Sequence, residues 1–317
     1  MREKLYPPIK PYKQGFLRVL FGHEIYWEEC GNPKGYPILF VHGGPGAGCS
    51  ERDRRFFDPK KWRIVLFDQR GSGRSKPFAS TKTNTTPDLI WDIHYLLRMK
   101  GIEKAVLFGG SWGSTLSLVY ALQYPETVAG MVLRGIFLAE EEEIKAYTTG
   151  EIGKYFPEIW NRFVSQIPPD KRNDPAAYYY NQMQSKNKST RMHFAYEWAH
   201  YELGTLYLRE KTEKELNEMI LEFPYESLGV LEAYYMVNNC FLADGYILKN
   251  SKIISHIPAS IIQGRYDMVC PPVSAYKLHL MLPKSELHMV LAGHSSSDGE
   301  IAGKLVSETE KMFKKTD

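Results

Sequence analysis

Cysteine is one of the residue types that this sequence uses sparingly. Its 317 residues include four cysteines, which are Cys30, Cys49, Cys240 and Cys270. They lie far apart in the sequence and form no C-x-x-C pair, so the spacing of a zinc site is absent. Nor does this pattern suggest the disulfide framework that stabilises small secreted domains. We therefore expect four reduced thiols.

Long apolar runs and concentrated positive charge are also missing. No segment offers the roughly 18 uninterrupted apolar residues that a membrane-spanning helix needs, and the chain starts at Met1 without the apolar core of a secretory leader. The formal net charge is +3, and no basic stretch is interleaved with aromatic residues as in a nucleic-acid surface. We expect a soluble, cytoplasmic protein that binds neither membranes nor nucleic acid.

The common cofactor and metal motifs are absent as well. The sequence contains no G-x-x-x-x-G-K-[ST] loop and no H-E-x-x-H pair. It also lacks a G-x-G-x-x-G segment that follows a strand and opens a helix. The sequence therefore implies no cofactor and no metal.

Short apolar runs alternate with helical segments through most of the chain. The runs 37–41, 63–68 and 128–134 are typical of strands that are buried on both faces. The runs 15–20 and 24–30 are separated by a short link, which predicts an antiparallel pair at the edge of the sheet. Alternation of strands and helices predicts an α/β fold with a mostly parallel, doubly wound sheet.

The middle of the chain has a different pattern. Between residues 136 and 255 the strand-like runs vanish, and helical segments rich in aromatic and polar residues replace them. The strand pattern resumes near residue 259. We expect residues 1–135 and 256–317 to form the core domain, and residues 136–255 to form an inserted helical cap.

One stretch joins a buried strand to a helix through a serine. Gly109 and Gly113 flank Ser111 at the spacing G-x-S-x-G. Both glycines suit a strained strand-to-helix turn in which a neighbouring Cβ would clash. Such a turn holds the serine hydroxyl where a base can reach it, so Ser111 is the candidate nucleophile. An ordinary Gly/Ser-rich turn has the same pattern and stays open as the alternative.

A second Gly-rich loop follows the strand at residues 37–41. A serine hydrolase needs two N–H donors for the developing oxyanion. The residue after the nucleophile, Trp112, would provide one donor, and Gly43 or Gly44 would provide the other. A tight turn whose glycines serve only geometry is the alternative. We expect His42, inside this loop, to donate a structural hydrogen bond rather than act as the base.

An acid and a base follow the last two predicted strands. A serine hydroxyl needs a base to accept its proton and a carboxylate to orient that base. Asp267 follows the strand near residues 259–264, and His294 follows the strand near residues 287–291. The chain order Ser111, Asp267, His294 is the order expected for the α/β-hydrolase fold. We predict these three residues to form the catalytic triad.

Several motifs resemble those of bacterial-type proline iminopeptidases. They are His42 to Gly46, Gly109 to Ser114, Leu133 to Leu138, Gly264 to Asp267 with Cys270 and Pro271, and Gly293 to Ser295. The resemblance runs from Leu5 to the last predicted helix. It implies an α/β-hydrolase core with a helical cap that removes an unblocked proline from the N-terminus of small peptides, without a metal or a cofactor.

The resemblance also assigns roles to residues of the predicted cap. An aminopeptidase has to recognise a protonated amine, and Glu202 and Glu232 match the segments that hold the proline imino group in relatives. The helical spacing puts both glutamates on faces with apolar neighbours, so each needs a cationic partner from the protein or the ligand. Phe137 and Tyr147 match positions near the pyrrolidine pocket, although aromatic residues there also suit a plain cap core.

Two further features of the sequence carry charge, namely Arg134 and the run Glu140 to Glu143. Arg134 ends an apolar strand, and we expect it to pair with an acid near the site. The run Glu140 to Glu143 departs from the basic residues that relatives tend to carry there. We interpret it as the solvated first turn of a cap helix, where acidic side chains complement the helix dipole.

Two other functions share this pattern. An esterase or amidase with another acyl preference would use the same triad but would not need both cap glutamates. A catalytically silent binding protein with the same fold would not need a reactive Ser111. The sequence leaves the oligomeric state open.

Overall fold

The computed structural model describes residues Leu5 to Thr316. Residues 1–4 and 317 lie outside the described part. The start of the chain, where we expect no leader, and the outermost residues of the predicted core domain therefore lie outside it as well. None of the helices in the described range combines the length and the hydropathy that a membrane-spanning segment needs.

An eight-stranded sheet forms the centre of the described chain. In chain order its strands are β1 (Lys13–Arg18), β2 (Glu24–Gly31), β3 (Tyr36–Val41), β4 (Trp62–Phe67), β5 (Ala105–Ser111), β6 (Val128–Ile136), β7 (Ala259–Gly264) and β8 (Ser285–Val290). The spatial order is β1-β2-β4-β3-β5-β6-β7-β8. Strand β2 pairs antiparallel with both β1 and β4, and every other pair is parallel. The predicted edge hairpin and the mostly parallel sheet are therefore confirmed.

The α-helices of the described chain number eleven. They are α1 (Thr86–Met99), α2 (Trp112–Gln123), α3 (Glu141–Thr148), α4 (Pro157–Ser165), α5 (Pro175–Met183), α6 (Lys188–Thr205), α7 (Glu213–Glu222), α8 (Tyr225–Val237), α9 (Tyr246–Asn250), α10 (Pro272–Met281) and α11 (Ile301–Thr316). Helix α1 starts with a reciprocal capping box between Thr85 and Asp88 and has a proline in its first turn.

The central strands are buried on both faces, as their continuous apolar runs predict. Alternate residues of β3 point in opposite directions, so that Leu39 joins one core cluster and Phe40 joins another. Helices α1, α2 and α10 cover the first face of the sheet, and α11 covers the second. Helices on both faces are the arrangement that a doubly wound parallel sheet requires.

Seven helices, α3 to α9, fill the segment between β6 and β7, and the described chain has no strand there. Helices α6 and α8 pack closely because Gly229 of α8 lies against the backbone of Ala195 of α6, where a Cβ would come within 3.0 Å of the Ala195 Cα. Trp198 and Tyr235 are almost fully buried within this helical segment. The aromatic residues that mark it in the sequence therefore form its core.

The parallel strands end at one edge of the sheet, and the helical segment covers that edge. The Oγ atom of Ser227 in α8 donates a hydrogen bond to the carbonyl of Gly46, in the loop after β3, at 2.8 Å. On the other side, the hydroxyl of Tyr235 donates to Asn84 at 3.1 Å. The loops at the carboxyl ends of the strands are therefore enclosed between the sheet and the helices, which is where open α/β sheets place ligands.

Candidate active site

Ser111 lies at the sharp turn between β5 and α2. It adopts φ 57° and ψ −130°, a combination that a non-glycine residue rarely takes. A Cβ on Gly109 would overlap the carbonyl of Gly113, and a Cβ on Gly113 would overlap the carbonyl of Val41. Both glycines are therefore required by close backbone approach, which is the reason that the sequence predicts.

His294 and Asp267 form a buried pair at the ends of β8 and β7. The Nδ1 atom of His294 lies 2.8 Å from Oδ2 of Asp267. The same oxygen accepts from Nε2 of Gln263 at 3.0 Å, while Oδ1 accepts from the N–H groups of Val269 at 3.1 Å and Cys270 at 2.8 Å. With donors on both of its oxygens, the Asp267 carboxylate is held in one orientation and fixes the imidazole ring.

Arg134 contacts the other side of the imidazole. Its Nη1 atom donates to Nε2 of His294 at 3.0 Å and to the carbonyl of His294 at 2.9 Å. A guanidinium can only donate, so Nε2 carries the lone pair and the proton is on Nδ1, which is the tautomer of a general base. The expectation that Arg134 pairs with an acid is wrong at the level of direct contacts. Burial lowers the pKa of Arg134.

A chain of hydrogen bonds connects the Gly-rich loop to the turn at Ser111. The Nε1 atom of Trp112 donates to Gln69 at 2.9 Å, the backbone N–H of Gln69 donates to Nε2 of His42 at 2.9 Å, and Nδ1 of His42 lies 2.8 Å from the carbonyl of Gly43. Burial lowers the pKa of His42, which keeps the ring neutral. His42 therefore has the structural role expected of it.

The predicted oxyanion donors lie beside the nucleophile. A Cβ on Gly43 would come within 3.4 Å of the Cβ of Ser111. Trp112 is the first residue of α2, so its N–H has no carbonyl partner within the helix. No hydrogen bond among the described residues uses the N–H groups of Gly43 or Gly44. Three backbone donors are therefore free close to Ser111.

Glu202 and Glu232 are buried in the helical segment without a cationic partner. Their exposed fractions are 7% and 3%. Glu202 accepts from the hydroxyl of Tyr147, and Glu232 accepts from Nε1 of Trp198 at 2.9 Å. No lysine, arginine or histidine of the described chain forms an ion pair with either glutamate. Burial raises the pKa of Glu202, and burial together with Glu202 raises the pKa of Glu232 well above its usual value.

Two cavities meet at Ser111. The larger has a volume of about 810 Å³ and is lined by Arg134, His294 and Glu202, among others. The smaller is enclosed mainly by apolar side chains, and its lining comprises Gly44, Ser111, Phe137, Glu143, Tyr147, Glu232, Met236, Val269 and Cys270. The structure thus brings both predicted aromatic residues and both predicted glutamates to the walls of cavities that contain the nucleophile.

Several residues that shape this site were not predicted from the sequence. Gln69 and Gln263 orient the loop and the acid, and each is a polar residue at the end of an apolar strand, which is a signal that could have singled them out. Gly135 has φ +55°, and a Cβ there would lie 2.9 Å from Cε1 of His294. Glu143 is assigned to a solvated turn, yet it lines the small cavity.

The described residues contain one group of side chains with the spacing of metal ligands, namely Glu286, His288 and Glu308 on β8 and α11. Lys304 and Lys311 contact Glu308 at 3.0 and 2.7 Å, and Lys315 contacts Glu286 at 2.8 Å. Because lysines already balance the carboxylates, we interpret this group as a surface ion-pair network, separate from Ser111.

The fold and the site define the class of the protein. The chain matches the family model of the alpha/beta hydrolase fold over residues 36–300. It resembles the structure of an α/β hydrolase enzyme from a Medee basin deep-sea metagenome library, with TM-score 0.65, 17% identity and coverage of 96% of this chain and 98% of that chain. An esterase from Exiguobacterium antarcticum gives TM-score 0.64 at 17% identity, covering 95% and 100%. The protein is an α/β hydrolase.

Sequence comparison identifies the family within the α/β hydrolases to which the chain belongs. The chain is 42% identical over 311 residues to a probable proline iminopeptidase of Leptolyngbya boryana, covering 98% of this chain and 97% of that protein. It is 43% identical over 313 residues to the proline iminopeptidase of Neisseria meningitidis serogroup A, covering 98% and 99%. The Arabidopsis thaliana proline iminopeptidase is 41% identical over 314 residues, covering 98% and 82%. The chain belongs to the proline iminopeptidase family.

Proposed function

We propose that the protein is a serine aminopeptidase that releases proline from the N-terminus of small peptides. Family membership supports this activity. The observation that carries the proposal is the pair Glu202 and Glu232, which are buried in the walls of the cavities at Ser111 and form no ion pair with a described lysine, arginine or histidine. An unpaired buried carboxylate costs several kcal/mol, and a bound ammonium group would offset that cost.

The small cavity would receive the proline ring. Its volume is about 20 Å³ in the empty protein, so its walls would have to move apart to admit the ring. Its aromatic walls, Phe137 and Tyr147, would contact the pyrrolidine, and Glu232 would receive the imino group from one side. Glu202 would receive it from the other side, where Tyr147 orients the carboxylate. A substrate whose amine is blocked could not replace the missing positive charge, which explains why the free N-terminus is required.

The triad would then act in two steps. His294 accepts the Ser111 proton at Nε2 while Oγ attacks the prolyl carbonyl, and the protonated His294 passes that proton to the leaving amine as the C–N bond breaks. Water next attacks the acyl-enzyme, gives its proton to His294, and frees proline as Ser111 regains the proton. Arg134 has to release Nε2 before the first transfer, because that atom accepts the Arg134 hydrogen bond in the empty site.

The free backbone donors would stabilise the oxyanion. The N–H of Trp112 comes from the helix start, where the dipole of α2 also favours negative charge. Gly43 or Gly44 would provide the second N–H from the loop after β3. The chain of hydrogen bonds from Trp112 through Gln69 and His42 would hold the two N–H donors at fixed positions relative to each other.

We assign residues 136–255 to a cap domain, and residues 1–135 with 256–317 to the catalytic core. The core would carry the nucleophile, the base and the oxyanion donors. The cap would carry both carboxylates that recognise the amine, together with Tyr147. Chemistry and specificity would thus be divided between the two parts, with Phe137 at their junction.

Turnover of proline β-naphthylamide tests the proposal. The wild-type protein should cleave it, and Ser111→Ala should abolish the activity. Glu202→Gln and Glu232→Gln should each lower kcat/KM by about 10- to 100-fold, because each removes a charged hydrogen bond to the amine. Turnover of simple esters without turnover of the proline substrate would contradict the proposal and favour an esterase.

Glu197→Gln is the matched control. Glu197 is also a buried glutamate of α6, but it is paired with Arg162 at 2.8 Å. Its substitution should reduce stability while leaving kcat/KM within about two-fold of wild type, because it lies outside both cavities.

A fluorophosphonate that fails to label Ser111 in the folded protein would instead indicate a silent binding protein.

A further inference from the structure

Glu143 is a second carboxylate in the wall of the small cavity, beside Glu232, and neither the triad nor the amine site uses it. It belongs to the run Glu140 to Glu143, of which Glu141 and Glu142 are exposed as expected for a solvated turn. Glu143 instead faces the cavity that contains Ser111 and Glu232. The interpretation of the whole run as a solvated first turn is therefore wrong for this residue.

The Glu143 carboxylate is held by three donors from two parts of the chain. Its Oε2 atom accepts from the backbone N–H groups of Leu138 at 3.0 Å and Glu140 at 3.1 Å. Its Oε1 atom accepts from the hydroxyl of Ser274 in α10. The side chain therefore connects the link after β6, the first turn of α3 and a helix of the core.

The two backbone donors flank a strained residue. Ala139 has φ +57°, in the left-handed region. Successive N–H groups around such a residue form a concave site that suits an anion. The Glu143 carboxylate occupies this site and stabilises the conformation of the link.

Both aromatic walls of the small cavity depend on this link. Phe137 precedes Leu138 directly, and its backbone is fixed on the other side by the hydroxyls of Ser114 and Thr115. Tyr147 lies one helical turn after Glu143 on α3, on the same face, and its hydroxyl orients Glu202. Movement of the link would displace both walls together.

We propose that Glu143 is a positioning residue for the proline pocket, which it holds in shape through the link 138–140 and through Ser274. This inference rests on the proposed function, because it concerns binding of the proline ring. Loss of the Glu143 contacts should weaken ground-state and transition-state binding alike, so KM should change more than kcat.

The ionisation state of Glu143 should matter for the pocket. Burial raises its pKa to about 7. Charged or titratable groups surround it on three sides. Glu140 and Lys277 form an ion pair at 3.3 Å, and Glu232 and Cys270 line the same cavity. Cys240 and Asp244 follow α8. A protonated Glu143 carries no negative charge. The concave site formed by the link 138–140 would then no longer hold an anion. KM for a proline substrate should therefore rise as pH falls through about 7.

Three variants separate this role from simple helix capping. Glu143→Ala should raise KM for proline β-naphthylamide about ten-fold, with a smaller fall in kcat. Glu143→Gln keeps an oxygen for the two N–H groups and an amide for Ser274 but lacks the negative charge. Its KM should therefore lie between the values of the wild type and Glu143→Ala at pH 8, and should equal the wild-type value at a pH where Glu143 is protonated. It should also remove the part of the KM increase near pH 7 that Glu143 causes. Glu142→Ala, in the same turn but exposed, should leave KM and kcat unchanged.

An unchanged KM in Glu143→Ala, with only a lower Tm, would overturn the inference and leave Glu143 as a helix cap. Should that variant fail to fold, Ser274→Ala decides the question from the other side of the hydrogen bond, with an expected rise in KM of about three-fold and the wild-type value as the contradicting result. If the wild-type protein does not cleave the substrate at all, the proposed function fails, and this inference fails with it.

Discussion

At the scale of single residues, the contact of Arg134 with His294 has a direct chemical meaning. It places a positive charge against the lone pair that would accept the Ser111 proton in the proposed mechanism. That charge opposes protonation of the imidazole while the site is empty. A substrate that draws the guanidinium away would free the base at the moment when it is needed.

Cys270 is a second residue whose surroundings determine its behaviour. It is 3% exposed, and burial raises the pKa of its thiol well above the usual value. Its N–H donates to Asp267, and its carbonyl accepts from Gln263. The reactive thiolate is therefore scarce at neutral pH, while any adduct would displace the loop that holds the catalytic acid.

We predict slow but complete inactivation by a bulky maleimide, with proline β-naphthylamide turnover falling in step with modification of Cys270. Cys270→Ala should stay active and resist the reagent. Cys49, which is partly exposed in the large cavity, is the alternative target, so Cys49→Ala should remain sensitive. Full activity in protein whose Cys270 is verified by mass spectrometry as modified would contradict the prediction.

The sequence predicts least well which residue each side chain of this site contacts. Asp267 and His294 could be placed because each follows a buried strand, and parallel strands end at the same edge. The positions of Arg134 and Glu143 depend on how neighbouring loops fold over that edge. Both were expected to face acids or water, and they face His294 and the Ser111 cavity instead.

At the scale of elements, β6 ends in a turn that brings the chain very close to the base. Gly135 has φ +55°, and a Cβ there would lie 2.9 Å from Cε1 and 3.1 Å from Nδ1 of His294. A side chain at this position would collide with the imidazole. The turn therefore leaves room for the His294 ring.

We predict that Gly135→Ala lowers kcat on the order of 100-fold, because a shift of about 1 Å in a catalytic group has that effect. Gly101→Ala is the control, since Gly101 has a similar φ of +64° but no atom within 4 Å of a new Cβ. It should cost about 1–2 kcal/mol of stability without changing kcat. Steady-state kinetics and thermal unfolding measure both. Equal kcat values in the two variants would count against the steric role of Gly135.

The strands were the most predictable elements. The runs expected at 37–41 and 128–134 lie within strands of the structure, and the run expected at 63–68 exceeds its strand by Asp68 alone. These runs were recognisable because a strand buried on both faces has to be apolar throughout. The helical segment was recognisable only as a region without such runs. Its individual helices carry apolar residues on several sides, as around Trp198, so periodicity alone could not define their buried faces.

At the scale of the whole molecule, the buried acids make stability depend on pH. The pKa values of Glu202 and Glu232 are raised in the folded protein, so at intermediate pH the folded state binds more protons than the unfolded state. Stability associated with the protonated pair is present at low pH and is lost as pH rises through the raised values. Glu143, with a pKa of about 7, and Asp92, with a pKa of about 6, act in the same direction.

Burial lowers the pKa values of His23, His42 and His288, which makes stability rise with pH up to about 7. We therefore predict that Tm of the free protein falls from pH 7 to pH 8, and that Glu202→Gln combined with Glu232→Gln reduces this slope. Prolinamide, which carries the free imino group, should raise Tm of the wild type more at pH 8 than at pH 6, because binding of its cation needs ionised carboxylates. Scanning calorimetry at constant ionic strength measures both effects. An identical slope in the double variant would show that other groups control it.

The helical segment lies between Ser111 and its two catalytic partners along the chain. During synthesis the nucleophile and its turn are made first, followed by the segment with Glu202 and Glu232, and only then by Asp267 and His294. A nascent chain on the ribosome therefore carries the proposed amine-recognition segment before it carries the proposed base. In the proposed mechanism, Ser111 has no base until the loop after β8 has been made, so the unfinished polypeptide should not hydrolyse neighbouring peptides.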